Sequence, residues 1–178
     1  MELDGKTIGI LGCGRIGQAL AARCQAFGMT TIGFDPYLPK EVAAEAGIDL
    51  MELDDLYKAS DFISLHVALT DSTKHMISTD QFEIMKDSAY LVNCARGGVV
   101  DEAALYDALV SGKIGGAALD VFETEPPGEI KLSELENVTF TPHIGANTKD
   151  AQLKAGTMVS EQVMIALKGE EPVHWVNK

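Results

Sequence analysis

Short β-branched runs alternate along the chain with stretches whose apolar residues recur every three or four positions. Thr7–Leu11 is the first such run. Residues 16–27 form the first helical stretch, with Ile16, Ala19, Leu20, Cys24 and Phe27 along one stripe. Further strands are expected at Thr30–Phe34, 48–51, Phe62–Leu65, 89–93, Gly116–Leu119 and Val138–Phe140. Helices are expected between them at 41–46, Leu53–Ala59, 81–85 and Glu102–Val110. Thr79 or Asp80 would cap the helix at 81–85, and Asp101 the one that follows. Residues 120–132 hold Pro126, Pro127, Gly128 and several glutamates, which predicts a loop. Thr148 is expected to cap a last helix reaching Lys168, with Ala155, Val159, Val163, Ala166 and Leu167 on one stripe and Gly169 as its stop. The tail, 170–178, reads as extended. Seven strands alternating with helices predict an α/β fold with a doubly wound, mostly parallel sheet of Rossmann type.

A chain of 178 residues suits one domain, here 1–178, and buries enough surface to hold a core without staples. Apolar residues make up 46%, too many for a disordered tail. No run of 18 uncharged apolar residues exists, so no membrane span is expected. Residues 1–6 lack an apolar run, so no signal peptide is expected. The net charge of −13 repels phosphate backbones and anionic lipid, which excludes nucleic acid and membrane as main partners. Cys13, Cys24 and Cys94 are odd in number and far apart, with no metal-ligand spacing. A reduced, cytoplasmic chain without a metal is the expectation, and the methionines read as core filler.

Gly12-Cys13-Gly14-Arg15-Ile16-Gly17 is a G-x-G-x-x-G, weak alone but here leaving a strand and opening a helix. Gly12 permits the turn, Gly14 lets a pyrophosphate approach the backbone, and Gly17 packs the helix on the strand. The helix N-terminus attracts anions, and Arg15 adds a full charge on a strongly acidic chain. Asp35 ends the second strand 18 residues past Gly17, where a carboxylate accepts hydrogen bonds from an adenosine ribose and repels a 2′-phosphate. No Arg follows it in Pro36-Tyr37-Leu38-Pro39-Lys40, so NAD is expected over NADP. A methyltransferase using S-adenosylmethionine can share this layout, so the loop alone does not fix a reaction.

Doubly wound sheets bind ligands beyond the carboxyl ends of their strands. His66, Cys94, Arg96, Asp120 and His143 all fall just past strand ends, and Glu125 lies five residues beyond Asp120. An alcohol that loses hydride must also lose a proton, and histidine is the natural base near neutral pH. Glu125 would orient His143 and favour its charged form. Arg96 offers a planar fork to a carboxylate and would stabilise charge growing on a carbonyl oxygen. Each has a plainer reading: His143 as a structural histidine, Arg96 paired with a surface acid, Glu125 solvated. His66 reads as shaping its loop. Cys94 has no His/Asn partner in view and reads as a small loop residue near the cofactor.

The chain resembles the nucleotide-binding domain of the D-isomer-specific 2-hydroxyacid dehydrogenases. The motifs are Lys6 to Gly17, Ser64-Leu65-His66-Val67-Ala68-Leu69-Thr70, Leu91-Val92-Asn93-Cys94-Ala95-Arg96-Gly97-Gly98, Ala118 to Pro126 and Thr141-Pro142-His143-Ile144-Gly145-Ala146, in the family's order. The resemblance implies catalytic roles for Arg96 (substrate carboxylate), Glu125 (partner of the histidine) and His143 (acid/base). It implies pyrophosphate contacts from Arg15 and Ile16 and a ribose contact from Asp35. Backbone near His66 and Val67 would line the adenosine side. Cys94, Ala95, Arg96, Asp120, His143, Gly145 and Ala146 would surround the nicotinamide. Within the family, residues 141–152 look closest to phosphoglycerate dehydrogenases.

Two departures accompany the resemblance. Ala68 stands where the family usually has proline, and the family's substrate domain has no counterpart in this chain. NAD binding with little or no turnover is therefore expected of the chain alone, with the 2-hydroxy or 2-keto acid handled by the whole protein. A homodimer is expected from the family. The alternative is an NAD-responsive binding module without catalysis, like the related corepressors.

Overall fold

The computed structural model describes residues 2–174. Seven strands among them, β1 (Thr7–Leu11), β2 (Thr30–Phe34), β3 (Asp49–Leu50), β4 (Phe62–Leu65), β5 (Tyr90–Asn93), β6 (Gly116–Leu119) and β7 (Val138–Phe140), form one sheet. Its order is β3-β2-β1-β4-β5-β6-β7, and every pairing is parallel. The helices are α1 (Arg15–Ala26), α2 (Lys40–Glu45), α3 (Leu53–Ala59), α4 (Thr79–Ile84), α5 (Glu102–Val110) and α6 (Lys149–Leu167). Two compact units divide the chain, one ending at Pro142 and the other beginning at His143.

The apolar strand residues of the first unit pack into two core clusters, but one face of β5, β6 and β7 stays partly open, with Tyr90, Val92 and Ala118 half-buried and Thr139 exposed. Ile8 and Ile10 join Cys13, Ala21, Cys24 and Ala43 in one core cluster. Leu11, with Leu56, Ile63, Leu65, Leu91 and Leu105, belongs to the larger one. Gly9 lies between them because a Cβ there would meet Ser60 Oγ at 2.3 Å and Leu56 Cδ2 at 2.6 Å. The chain leaves β1 toward β2 and β3, then crosses to β4 on the other side. That reversal opens a crevice past the ends of β1 and β4, where ligands of doubly wound sheets bind.

Most expected elements sit within a residue or two of their predicted places. The cap of α4 differs. Ser78 holds it, its N–H donating to Gln81 Oε1 at 3.1 Å and its hydroxyl to Asp101 Oδ2 at 2.9 Å; Thr79 and Asp80 already lie in the first turn. The end of the expected loop at 120–132 runs into a 3₁₀ turn, Lys131–Glu134, anchored by buried Leu132. Thr148 caps α6 as expected, its Oγ1 accepting the Ala151 N–H at 3.1 Å.

The apolar stripe of α6 buries no residue. Met158 and Met164 are about half exposed rather than core filler, unlike Met29 and Met85. Within its own unit that helix has only short flanking segments to pack against. Of the expected extended tail, residues 170–172 carry no regular structure and Val173 and His174 form a turn, both N–H groups donating to Gln162 Oε1. The remainder, 175–178, lies outside the described residues.

Candidate functional site

Gly12 follows β1 with φ +89, and a Cβ there would fall 2.8 Å from the His66 carbonyl. Only glycine combines that backbone with that approach. Gly17 lies in the first turn of α1 and would press a Cβ to 2.4 Å from the Gly12 oxygen, so it sets the close packing of helix on strand. Gly14 differs from both: nothing lies within 4 Å of its would-be Cβ. Its side faces open space, as a cradle for a ligand should. No side chain caps the first turn of α1, and no acidic residue stands in it. Arg15 and Ile16 are exposed there, Ile16 by 70%. The helix end is thus left electropositive in a chain of net charge −13.

A cleft of about 700 Å³ opens on this loop, lined by Gly12, Gly14, Asp35, His66, Val67 and Tyr37 among others. Five of the residues expected to hold the cofactor therefore share one concavity of ligand size. Asp35 is half-buried, and each carboxylate oxygen already accepts a backbone N–H: Cys13 to Oδ2 and Tyr37 to Oδ1, both at 2.9 Å. A carboxylate has about four acceptor sites, so two remain for hydroxyl donors. The His66 ring packs inward, its Nε2 3.0 Å from Ser64 Oγ, and burial lowers its pKa, so it stays neutral at ordinary pH. Burial, helped by the Asp35 charge, pushes the Cys13 thiol to about 11.

Past β5 and β6 two loops meet. The Gly97 position abuts the Phe122 carbonyl and the Glu123 N–H so closely that no Cβ fits. The exposed Arg96 side chain folds on its own loop, Nη1 donating to the Ala95 carbonyl at 2.6 Å. Glu125 Oε1 accepts the Phe122 N–H at 3.1 Å. Asp120, 3% exposed, accepts the Thr141 hydroxyl at 2.5 Å and donates its N–H to the Asn93 carbonyl. Cys94 lies at the surface, where partial desolvation of its thiol and the Asp120 charge push its pKa up, against any nucleophilic role. His143 opens the second unit in a left-handed conformation, φ +51. Gly145 and Ala146 follow it, the Ala146 carbonyl accepting Gln152 Nε2 at 3.3 Å.

Residues 1–145 match the D-isomer specific 2-hydroxyacid dehydrogenase, NAD binding domain. The chain belongs to that family. This membership removes the methyltransferase alternative. The D-3-phosphoglycerate dehydrogenase of Methanocaldococcus jannaschii is 54% identical over 178 residues, covering 99% of this chain and 34% of the relative. The chain thus spans about a third of the length of the curated relatives it matches. The D-lactate dehydrogenase of Lactobacillus jensenii, solved with NAD+, superposes with TM-score 0.91 at 33% identity, covering 100% of this chain and 57% of that one. A glyoxylate reductase from Paecilomyes thermophila superposes with TM-score 0.90 at 40% identity, covering 96% and 52%.

In this dehydrogenase domain the structure adds a residue that the reading by charge passed over. Asn93 ends β5, is 2% exposed, and clamps the Arg96 loop from both sides. Its Oδ1 accepts the Ala95 N–H at 3.1 Å and its Nδ2 donates to the Arg96 carbonyl at 3.0 Å. The signal available was an amide at the end of an apolar strand, just before the chemistry. Asn93→Ala strands the buried Ala95 N–H and should cost about 1–3 kcal/mol in denaturant unfolding. Asn93→Asp should fare no better, since its second oxygen would face the Arg96 carbonyl.

Proposed function

We propose that this chain is the cofactor-binding part of an NAD-dependent D-2-hydroxyacid dehydrogenase, acting on 3-phosphoglycerate or a close 2-hydroxy acid. The glycine-lined cleft with Asp35 on its wall carries the reading. The 54% identity to a phosphoglycerate dehydrogenase supports the substrate. The enzyme descriptions of the relatives favour catalysis over an NAD-responsive binding module. NAD fits the residues present: Gly14 and the electropositive end of α1 would hold its pyrophosphate, with Arg15 and Ile16 beside it, and Asp35 its ribose. When bound, it supplies the hydride acceptor.

The chain's own groups divide the rest of the work. Arg96 fixes the substrate carboxylate with its planar fork. In this proposal Glu125 would serve as the orienting partner of the His143 imidazole, and His143 would take the hydroxyl proton during oxidation and return it during reduction. In the proposed complex Cys94, Ala95, Asp120, Gly145 and Ala146 would hold the nicotinamide, and Val67 and the His66 backbone the adenosine. The proposal places the opposite wall of the substrate cleft in the part of the relatives that this chain does not match. It includes a cytoplasmic homodimer, in keeping with three free cysteines. Among the described residues no helix is long and apolar enough to cross a membrane.

Fluorescence titration tests the reading. The 178-residue chain should bind NADH saturably yet leave NADH unconsumed with 2-keto acids. Gly14→Ala places its methyl in open space, so thermal stability should hold while NADH affinity falls tenfold or more. Unchanged affinity in that variant would overturn the assigned cradle.

A further inference from the structure

Three separate parts of the first unit converge on the segment that carries Glu125. The Glu123 N–H donates to Glu102 Oε1 at 2.6 Å, and the Glu102 N–H donates back to Glu123 Oε1 at 3.0 Å. Each glutamate therefore accepts the other's backbone amide, closing a ring between the start of α5 and the β6 loop. His75 Nε2 lies 3.2 Å from the same Glu123 oxygen, and its Nδ1 4.0 Å from Asp101 Oδ2. Asp101 is itself fixed, capping α5 through the Ala103 and Ala104 amides and accepting the Ser78 hydroxyl.

The arrangement works against two local costs. His75 takes φ +49, a left-handed conformation that a residue with a Cβ adopts at some expense, and its N–H is held by the Gly98 carbonyl at 2.8 Å. Two neighbouring like charges also repel. Burial and the Glu123 charge push the Glu102 carboxyl up, while the hydrogen bond from the Glu123 backbone opposes them. Among the described residues no three His, Cys, Asp or Glu side chains are placed to hold a metal ion. The cluster is a hydrogen-bonded one, and it grips backbone.

The backbone it grips is the piece that holds Glu125. Phe122, adjacent to Glu123, donates its N–H to Glu125 Oε1. We propose that Glu102, Glu123 and His75 form a clasp that positions the Glu125 carboxylate, making them positioning residues for the acid–base pair. The role rests on the reading in which Glu125 orients the catalytic imidazole. The hydrogen-bonded clasp exists whether or not that reading holds, so the two can fail separately.

The test uses the 178-residue chain and two near-isosteric variants. Glu102→Gln keeps the reach and the accepting oxygen but drops the charge. Glu102→Asp keeps the charge but loses the reach. Amide hydrogen exchange should show Phe122 and Glu123 losing protection tenfold or more in Glu102→Asp, with β1 and β4 amides such as Ile10 and Leu65 unchanged. Glu102→Gln should match the parent. A carbon-detected titration should find the Glu125 midpoint moved up in Glu102→Asp, because a hydrogen bond to its ionised form is lost, and unmoved in Glu102→Gln. Equal protection in both variants, or a Glu125 midpoint indifferent to Glu102→Asp, overturns the clasp. NADH titration of the same samples reports on the cofactor reading independently: failure to bind there sinks that reading and leaves the clasp standing.

Discussion

Gly97→Ala should be the most damaging added methyl among the described glycines. Its Cβ would fall 1.7 Å from the Phe122 oxygen, 2.1 Å from the Phe122 carbonyl carbon and 2.8 Å from the Glu123 nitrogen. All three neighbours are backbone, so no rotamer change relieves the clash. The Arg96 loop and the Glu125 loop must separate, pulling buried Phe122 from its ring contact with Phe140, 5.8 Å between centroids. Overpacking costs typically about 1–3 kcal/mol and occasionally more, and this contact belongs at the upper end. For a chain of this size that is a loss of roughly 6–12 °C in Tm. Gly112→Ala supplies the comparison: φ is +71 there but nothing lies within 4 Å, so only the left-handed backbone cost of about 1–2 kcal/mol applies. Calorimetry of the two variants decides. A loss in Gly97→Ala no larger than in Gly112→Ala would mean that the two loops are not braced against each other.

That bracing was invisible in the sequence, and the reason is physical. Apolar runs and spacing place the strands, the parallel sheet and the span of α1, but not the buried face of α1: of its expected stripe Cys24 is buried while Ile16, Ala19 and Phe27 are exposed. The G-x-G-x-x-G and Asp35 were legible because a phosphate and a ribose each demand a particular backbone or charge. Contacts between chain segments far apart carry no local period. Nothing near Gly97 announces the Phe122 carbonyl, and nothing near Glu102 announces Glu123. Ser78 was missed as a cap because its neighbours Thr79 and Asp80 are equally good caps by type. Gln81, three residues past Ser78, completes its capping box, but Glu83 stands three residues past Asp80 and offers the same pattern, so local sequence does not choose between them. The α6 stripe shows the limit of spacing alone: the helix forms where expected, yet within its own unit it buries no residue.

Asp35→Ala should change cofactor choice as well as cofactor affinity. In the proposed complex its carboxylate accepts ribose hydroxyls, and charge-assisted bonds of this kind contribute about 1.5–3 kcal/mol each. Losing one should raise the NADH dissociation constant roughly ten- to 150-fold. A 2′-phosphate at the same place meets a like charge, costing about 1 kcal/mol at 4 Å in water and about 4 kcal/mol in a medium of intermediate dielectric. Removing the carboxylate lifts that penalty, so NADPH affinity should hold or improve while NADH affinity falls, and their ratio should approach one. The structure adds a complication. Asp35 also tethers the glycine loop through the Cys13 N–H and its own turn through the Tyr37 N–H, so part of the NADH loss in Asp35→Ala reflects a loosened loop. Asp35→Asn separates the two effects. It retains one accepting oxygen for the tether, carries no charge, and should relax rejection of NADPH with a smaller drop in NADH affinity. Loop damage alone would weaken both nucleotides alike. A fall in NADH affinity with the NADH-to-NADPH preference unchanged in both variants would therefore remove Asp35 from the ribose site and leave it a loop tether only.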